Sequence, residues 1–146
     1  MNLDPNNRVV ALCVAGMAIE GTAAEACLLF EQAWDARSDD YDACIAAHFV
    51  ARHRVTPEET LRWNLMAVQH AEAVVDGRAA EFMASLYLNL GDANAAAGND
   101  AAAFAAVVTA RAHLSALSSD GYRNFVTLGI DRLERRLTVE SQRRAM

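Results

Sequence analysis

The chain has 146 residues, of which 53% are hydrophobic and 22% charged, enough to build one domain with a real core and too apolar for a disordered segment. Its net charge of −6 argues against nucleic acid as a partner, because an acidic chain binds phosphate backbones poorly unless its charge is segregated. Six Arg do gather after Tyr122, but on a terminal helix they read as a solvated face. Every basic residue is Arg and none is Lys, which reads as the codon usage of a GC-rich bacterium.

Only seven glycines and two prolines interrupt the chain, which favours long helices. Asp4-Pro5 pairs a cap with a proline at the first helical position and predicts a helix to about Glu20. Gly21 stops it. Thr22 with Glu25 three residues later forms a capping box. In the second helix Ala26, Leu29, Phe30, Ala33 and Trp34 form an apolar stripe at 3.6-residue spacing. Asp39, Asp40 and Asp42 suit the positive end of a third helix, which runs to about Arg54. Thr56-Pro57-Glu58-Glu59 is the strongest start signal in the chain and opens a fourth helix to about Val75, where Asp76-Gly77 ends it. A fifth helix spans roughly Ala79 to Ala97 and stops at Gly98. A sixth starts at Asn99 and ends near Leu117. Ser118-Ser119-Asp120 starts a seventh, with Tyr122, Val126, Ile130, Leu133 and Leu137 on one face. Residues 138–146 are expected to fray. No alternating strand pattern occurs, so the fold class is all-α, with antiparallel neighbouring helices joined by short turns.

The start MNLDPNN has no basic segment, and no apolar run reaches spanning length. Neither a signal peptide nor a membrane partner is therefore expected. Cys13, Cys27 and Cys44 lie in apolar runs without CxxC spacing, the pattern of reduced, buried thiols in a cytoplasmic protein.

The second helices of successive hairpins overlay. Ala26, Phe30, Ala33 and Trp34 align with Thr60, Asn64, Ala67 and Val68, each 34 residues later, and with Ala103, Val107, Ala110 and Arg111, a further 43 on. The segment SLYLNLGDANAAAGNDAAAFAAVVTARAHL resembles a tetratricopeptide (TPR) motif: Leu90-Gly91 as leucine and small residue, Gly98 at the turn, Ala103 and Ala110 as small contacts of the second helix. In the other two units Val14 and His48 stand where Gly91 stands, and Met17, Ala51 and Asn94 stand where an aromatic is usual. The resemblance implies three stacked hairpins (about 6–38, 39–77 and 78–117) and a capping helix over 119–137, wound as a right-handed superhelix.

In such arrays the first helix of each hairpin lines a concave groove. Residue by residue, the resemblance points Arg8, Ile45, Phe49, Arg52, His53, Ser85, Leu88, Asn89 and Asp92 inward, joined by Tyr122 and Arg123 from the closing helix. Asn89 matches an asparagine that in such grooves holds a peptide main chain or carboxylate. His48 and Arg52, four apart on one face, suit either an anion or acid–base site or packing of His48 with Arg52 paired to an acid such as Asp92 or Glu59. Asn64 and Trp63 read chiefly as structural. The four histidines lack HExxH or Cys/His zinc spacing, and there is neither a P-loop nor a GxGxxG, so no metal, cofactor or enzymatic role is expected. The expected function is to hold a protein or peptide partner in the groove. The alternative is a small-molecule sensor or accessory protein using the same polar lining. So short an array also allows a homodimer.

Overall fold

A computed structural model describes residues 3–118 and 120–146 and is all-α, with no strand among these residues. The helices are α1 (Arg8–Ala18), α2 (Ala23–Asp35), α3 (Asp40–Ala51), α4 (Pro57–Ala73), α5 (Met83–Ala96), α6 (Asp100–Ala112) and α7 (Asp120–Ala145). Residues 1–79 and 80–146 form two compact units, where length alone suggested one domain.

Among the described residues three starts carry a side-chain cap. Asn7 accepts from the N–H of Val9 and Val10, Asp39 from Asp42, and Thr56 from Glu59, in each case from an extended backbone that aims the oxygen at the first turn. The Thr56-Pro57 start is as expected. The first start is not: Asp4 accepts from Asn6 and Asn7 in a turn ahead of the helix, and Asn7 is the cap. Thr22 precedes α2 but makes no capping bond, because its backbone (φ −109°, ψ 81°) departs from that extended form. Gly98 ends α5 at φ +83°, a conformation that glycine adopts without steric penalty, whereas α4 already stops at Ala73 with an extended Val74 and Gly77 (φ +84°) lies in the turn beyond it.

α5 is shorter than expected because a 3-10 turn, Ala80–Phe82, precedes it. α6 ends at Ala112, and a second 3-10 turn carries the chain to the buried Leu117. The Ser119 start lies outside the described residues, as do Met1 and Asn2. Residues 138–146, expected to fray, are helical to Ala145. An ion pair ties this stretch to its own unit, Arg144 to Asp100, and another, Arg136 to Asp92 at 2.8 Å, lies just ahead of it.

Each unit is built from a hairpin with a further helix laid along it. In unit one, α3 packs on both α1 and α2 and runs parallel to α1. Asn7 meets Asp42 at the starts of α1 and α3, and Glu20 meets Arg52 at their ends. α3 is buried along almost its whole length, with α4 covering its remaining side. In unit two, α7 packs on both α5 and α6 and runs parallel to α5. Val126, Ile130, Leu133 and Leu137 of α7 close a core with Ala84, Ala103, Val107 and Ala110, while Tyr122 packs at its margin. α7 therefore stands to the α5–α6 hairpin as α3 stands to the α1–α2 hairpin.

Small residues sit where helices approach. A Cβ on Gly91 would lie 2.8 Å from Leu133 Cδ2 and 3.4 Å from Ala106 Cβ. In the first hairpin the equivalent role falls to Gly16, where a Cβ would enter the Phe30 ring. Val14, placed there by sequence register, is 48% exposed. The register fails because Gly16 lies within the last turn of α1, close to its end at Ala18, whereas Gly91 lies more than a turn before the end of α5 at Ala96.

Candidate functional site

Of the residues expected to line a groove, Arg8, Ile45, Phe49, Arg52 and His53 lie in unit one, as does the candidate His48, and Ser85, Leu88, Asn89, Asp92, Tyr122 and Arg123 lie in unit two.

In unit one, helix geometry alone sets His53 well around the helix from His48. But α3 ends at Ala51, so Arg52 and His53 follow the turn instead, and both reach Glu20 beyond the end of α1. Arg52 donates to both carboxylate oxygens, at 3.0 and 2.9 Å, and His53 Nε2 lies 2.8 Å from Oε2. The acid that pairs with Arg52 is thus Glu20, in place of Asp92 or Glu59. Partial burial acts to raise the Glu20 carboxyl, but the hydrogen bonds from His53 and Arg52 outweigh it and hold the group below its ordinary value.

Behind this triad is an aromatic stack. The Phe30 ring lies 5.2 Å from Phe49 and 5.9 Å from His53, and His48 meets Phe49 edge-on at 4.9 Å. Phe49 and Ile45 are each 5% exposed, so both belong to the core and not to a groove lining. Burial pushes His48 down from 6.5 to about 4, the Arg52 charge adds to this, and Glu20 opposes it. His48 is therefore neutral near pH 7.

Asn64 is buried and donates to the Thr60 carbonyl at 2.9 Å, one turn back on its own helix. Trp63 meets Trp34 edge-on at 5.0 Å, and Arg37 lies 3.9 Å over the Trp34 ring. Both sequence readings of these residues as structural agree with this packing. A residue whose structural importance the sequence did not signal is Asp42. It is 6% exposed and accepts from Asn7 Nδ2 at 2.8 Å and from Ser38 N and Oγ at 3.1 and 3.0 Å. It joins the cap of α1 to the start of α3.

In unit two, Ser85, Asn89 and Asp92 follow one another along α5 at helical spacing, with Ser85 and Asn89 half-buried and Asp92 exposed. Leu88 turns to α7, where Gly129 admits it: a Cβ there would lie 2.8 Å from Leu88 Cδ2. Arg136 holds Asp92. Arg123 donates to the Leu117 carbonyl and pairs with Asp120 at 3.4 Å, so it fastens the start of α7. Phe125, one turn before Gly129, is 74% exposed and escaped the sequence reading, which followed only the buried stripe of α7. Farther along α7, Arg135, Arg136, Val139, Glu140 and Arg143 line an open hollow of about 300 Å³.

Cys13 and Cys44 are buried and pushed up to about 12 by that burial, whereas Cys27 is only partly buried, contrary to expectation. Among the described residues no group of three His, Cys, Asp or Glu side chains is placed to hold a metal ion, and no helix is long and apolar enough to cross a membrane. Comparison with protein-family models, curated proteins and solved structures finds no match to this chain.

Proposed function

We propose that the chain is a TPR-like scaffold of the bacterial cytoplasm that holds a protein or peptide partner on the faces of its first-type helices. The observation that carries this reading is the recurrence of one packing relation. In each unit a helix lies parallel to the first helix of a hairpin and in contact with both of its members. Parallel neighbouring helices present a continuous shallow surface, the kind of surface that receives an extended or helical segment.

α5 carries the half-buried Ser85 and Asn89 one turn apart, and α7 carries the exposed ring of Phe125. Aromatic and adaptable polar groups together are a typical composition for protein recognition. The small-molecule alternative has less support. It draws on Arg52, Asp92 and Arg123, and each of these is already engaged by a partner in its own unit.

The test is affinity capture from native cell extract with the wild-type chain and an Asn89→Ala, Phe125→Ala double variant. A specific protein or peptide retained by the wild type and lost from the variant supports the proposal. Equal retention by both removes the assigned face, and a copurifying small molecule without a protein moves the reading to the alternative.

A further inference from the structure

α7 buries only one of its sides. Val126, Ile130, Leu133 and Leu137 recur at steps of four and three residues and close the core of unit two. On the opposite side a second series keeps the same rhythm: Phe125, Leu128, Arg132, Arg135 and Val139, each three or four residues after the last. All five are exposed, the three apolar ones by 74, 44 and 47%. Alternating steps of three and four keep a seam facing a second helix along its whole length. A helix that covers the α5–α6 hairpin with one seam therefore presents another, with Phe125 and Leu128 at one end, two arginines in the middle and Val139 beyond them. Val139 borders the open hollow of about 300 Å³ that Arg135, Arg136, Glu140 and Arg143 also line, which leaves room for the side chains of a neighbouring helix.

The charge on this seam identifies its occupant. The acids that could neutralise it are engaged elsewhere: Asp131 and Glu134 by Arg111 of α6, at 2.7 and 2.8 Å, and Asp92 of α5 by Arg136, at 2.8 Å. Arg132 and Arg143 have no acidic partner among the described residues, and Arg135 donates to a carbonyl of its own helix. Glu140 is the one carboxylate left beside these three arginines. A second copy of the chain does not fit the seam. Set parallel, each arginine meets itself; set antiparallel about the middle of the seam, Arg132 meets Arg135 of the second copy, and like charges so placed repel. A lipid surface takes a helix whose arginines flank an apolar face, and here they interrupt it. Nucleic acid is disfavoured by the net charge of −6 and by the carboxylates that alternate with arginine along α7. The seam fits instead a protein helix with apolar residues toward its two ends and carboxylates in between.

We infer that the outer face of α7 receives an acidic amphipathic helix, whose apolar side chains pack on Phe125, Leu128 and Val139 while its carboxylates pair with Arg132, Arg135 and Arg143. This rests on the reading of the chain as a protein-binding scaffold and gives the partner its chemistry. The apolar contacts supply affinity that exposed ion pairs alone do not, and the arginines set the register and exclude basic partners. One helix laid along another buries about 1,200 Å² or less, so the complex is weak and reversible.

The probe is a fluorescein-labelled synthetic helix of three heptads, stapled on its outer side, with Leu facing Phe125, Leu128 and Val139 and Glu facing Arg132 and Arg135. A second peptide has Lys in place of each Glu. Titrated with the full chain and followed by fluorescence anisotropy, the acidic peptide is expected to bind with a dissociation constant of about 1–100 µM that weakens as salt is raised. The Lys peptide is expected to bind at least about tenfold more weakly. Both arginines are exposed, so the Arg132→Glu, Arg135→Glu variant is expected to keep its helical circular dichroism spectrum and to reverse the preference between the two peptides. No binding of the acidic peptide, equal binding of both peptides, or a charge variant that keeps wild-type affinity for the acidic one overturns the inference. Tighter binding to anionic phospholipid vesicles or to a single-stranded oligonucleotide than to the acidic peptide does so too. A native partner that this charge variant retains and the Asn89→Ala, Phe125→Ala variant loses overturns the acidic helix alone and leaves the scaffold reading standing.

Discussion

His48 makes the stability of this protein depend on pH, and the size of the effect follows from its surroundings. In the unfolded chain the imidazole takes up a proton near 6.5, whereas in the folded chain burial and the Arg52 charge delay protonation to about 4. Between these values the unfolded state holds more protons, so stability rises with pH across that window. The contribution is complete above about 6.5, falls as the pH drops and levels off below about 4. One pKa unit corresponds to 1.36 kcal/mol, so lowering the pH from 7.5 to 5 removes about 2 kcal/mol, and full protonation removes about 3 kcal/mol. Urea unfolding followed by circular dichroism at pH 7.5, 6 and 5 measures this directly. His48→Gln keeps a polar side chain of similar reach without a proton to gain. Its midpoint should change by less than half as much over the same range. If the variant and the wild type lose stability in parallel, the pH dependence belongs to other groups and the burial argument for His48 fails. Glu20 acts only at lower pH, since a carboxyl depressed in the folded state withdraws its contribution as the pH falls through that folded value.

Four further expectations concern packing, hydrogen bonding and ion pairing. Gly16→Ala forces a methyl group into Phe30, which is buried and stacked on Phe49, and thermal or urea unfolding should show a loss of about 1–2 kcal/mol after the helix-propensity gain of alanine. Gly21→Ala, with nothing within 4 Å of its Cβ, should change stability by no more than about 0.5 kcal/mol. Asp42→Ala removes the acceptor shared by Asn7 and Ser38 and should destabilise unit one by about 2–3 kcal/mol, with Asp42→Asn milder. Hydrogen exchange should show residues 138–145 protected in the wild type and less so in Arg144→Ala, because the contact with Asp100 holds the end of α7.

The features legible in the sequence are those decided locally. Thr56-Pro57 opens α4 and Gly98 closes α5 because cap chemistry and glycine backbone freedom act within a few residues. The apolar stripe of α7 was visible because burial on one face repeats at the helical period. What escaped depends on partners distant in the chain. Asn7 caps α1 in place of Asp4, and its amide also reaches Asp42, 35 residues on. Gly16 serves as the close contact because of where Phe30 sits, and counting back from Gly21 through a non-helical turn points instead to Val14. The length of α7 comes from ion pairs to α5 and α6 that no local signal announces. Among the site residues, helix spacing described His48, which lies on α3. It lost Arg52 and His53 once the helix ended and Glu20 gathered both. Phe125 went unnoticed for the opposite reason: an exposed aromatic breaks the pattern of a buried stripe and belongs to none.

The proposed function is binding of a protein or peptide through the faces of α5 and α7. Capture from native extract, followed by isothermal titration of the purified partner against wild type and the Asn89→Ala, Phe125→Ala variant, tests it directly. The wild type should form a saturable complex, and the variant, with its fold unchanged, should bind at least tenfold more weakly. Equal affinity for both forms, or no protein or peptide partner for the wild type, would contradict it.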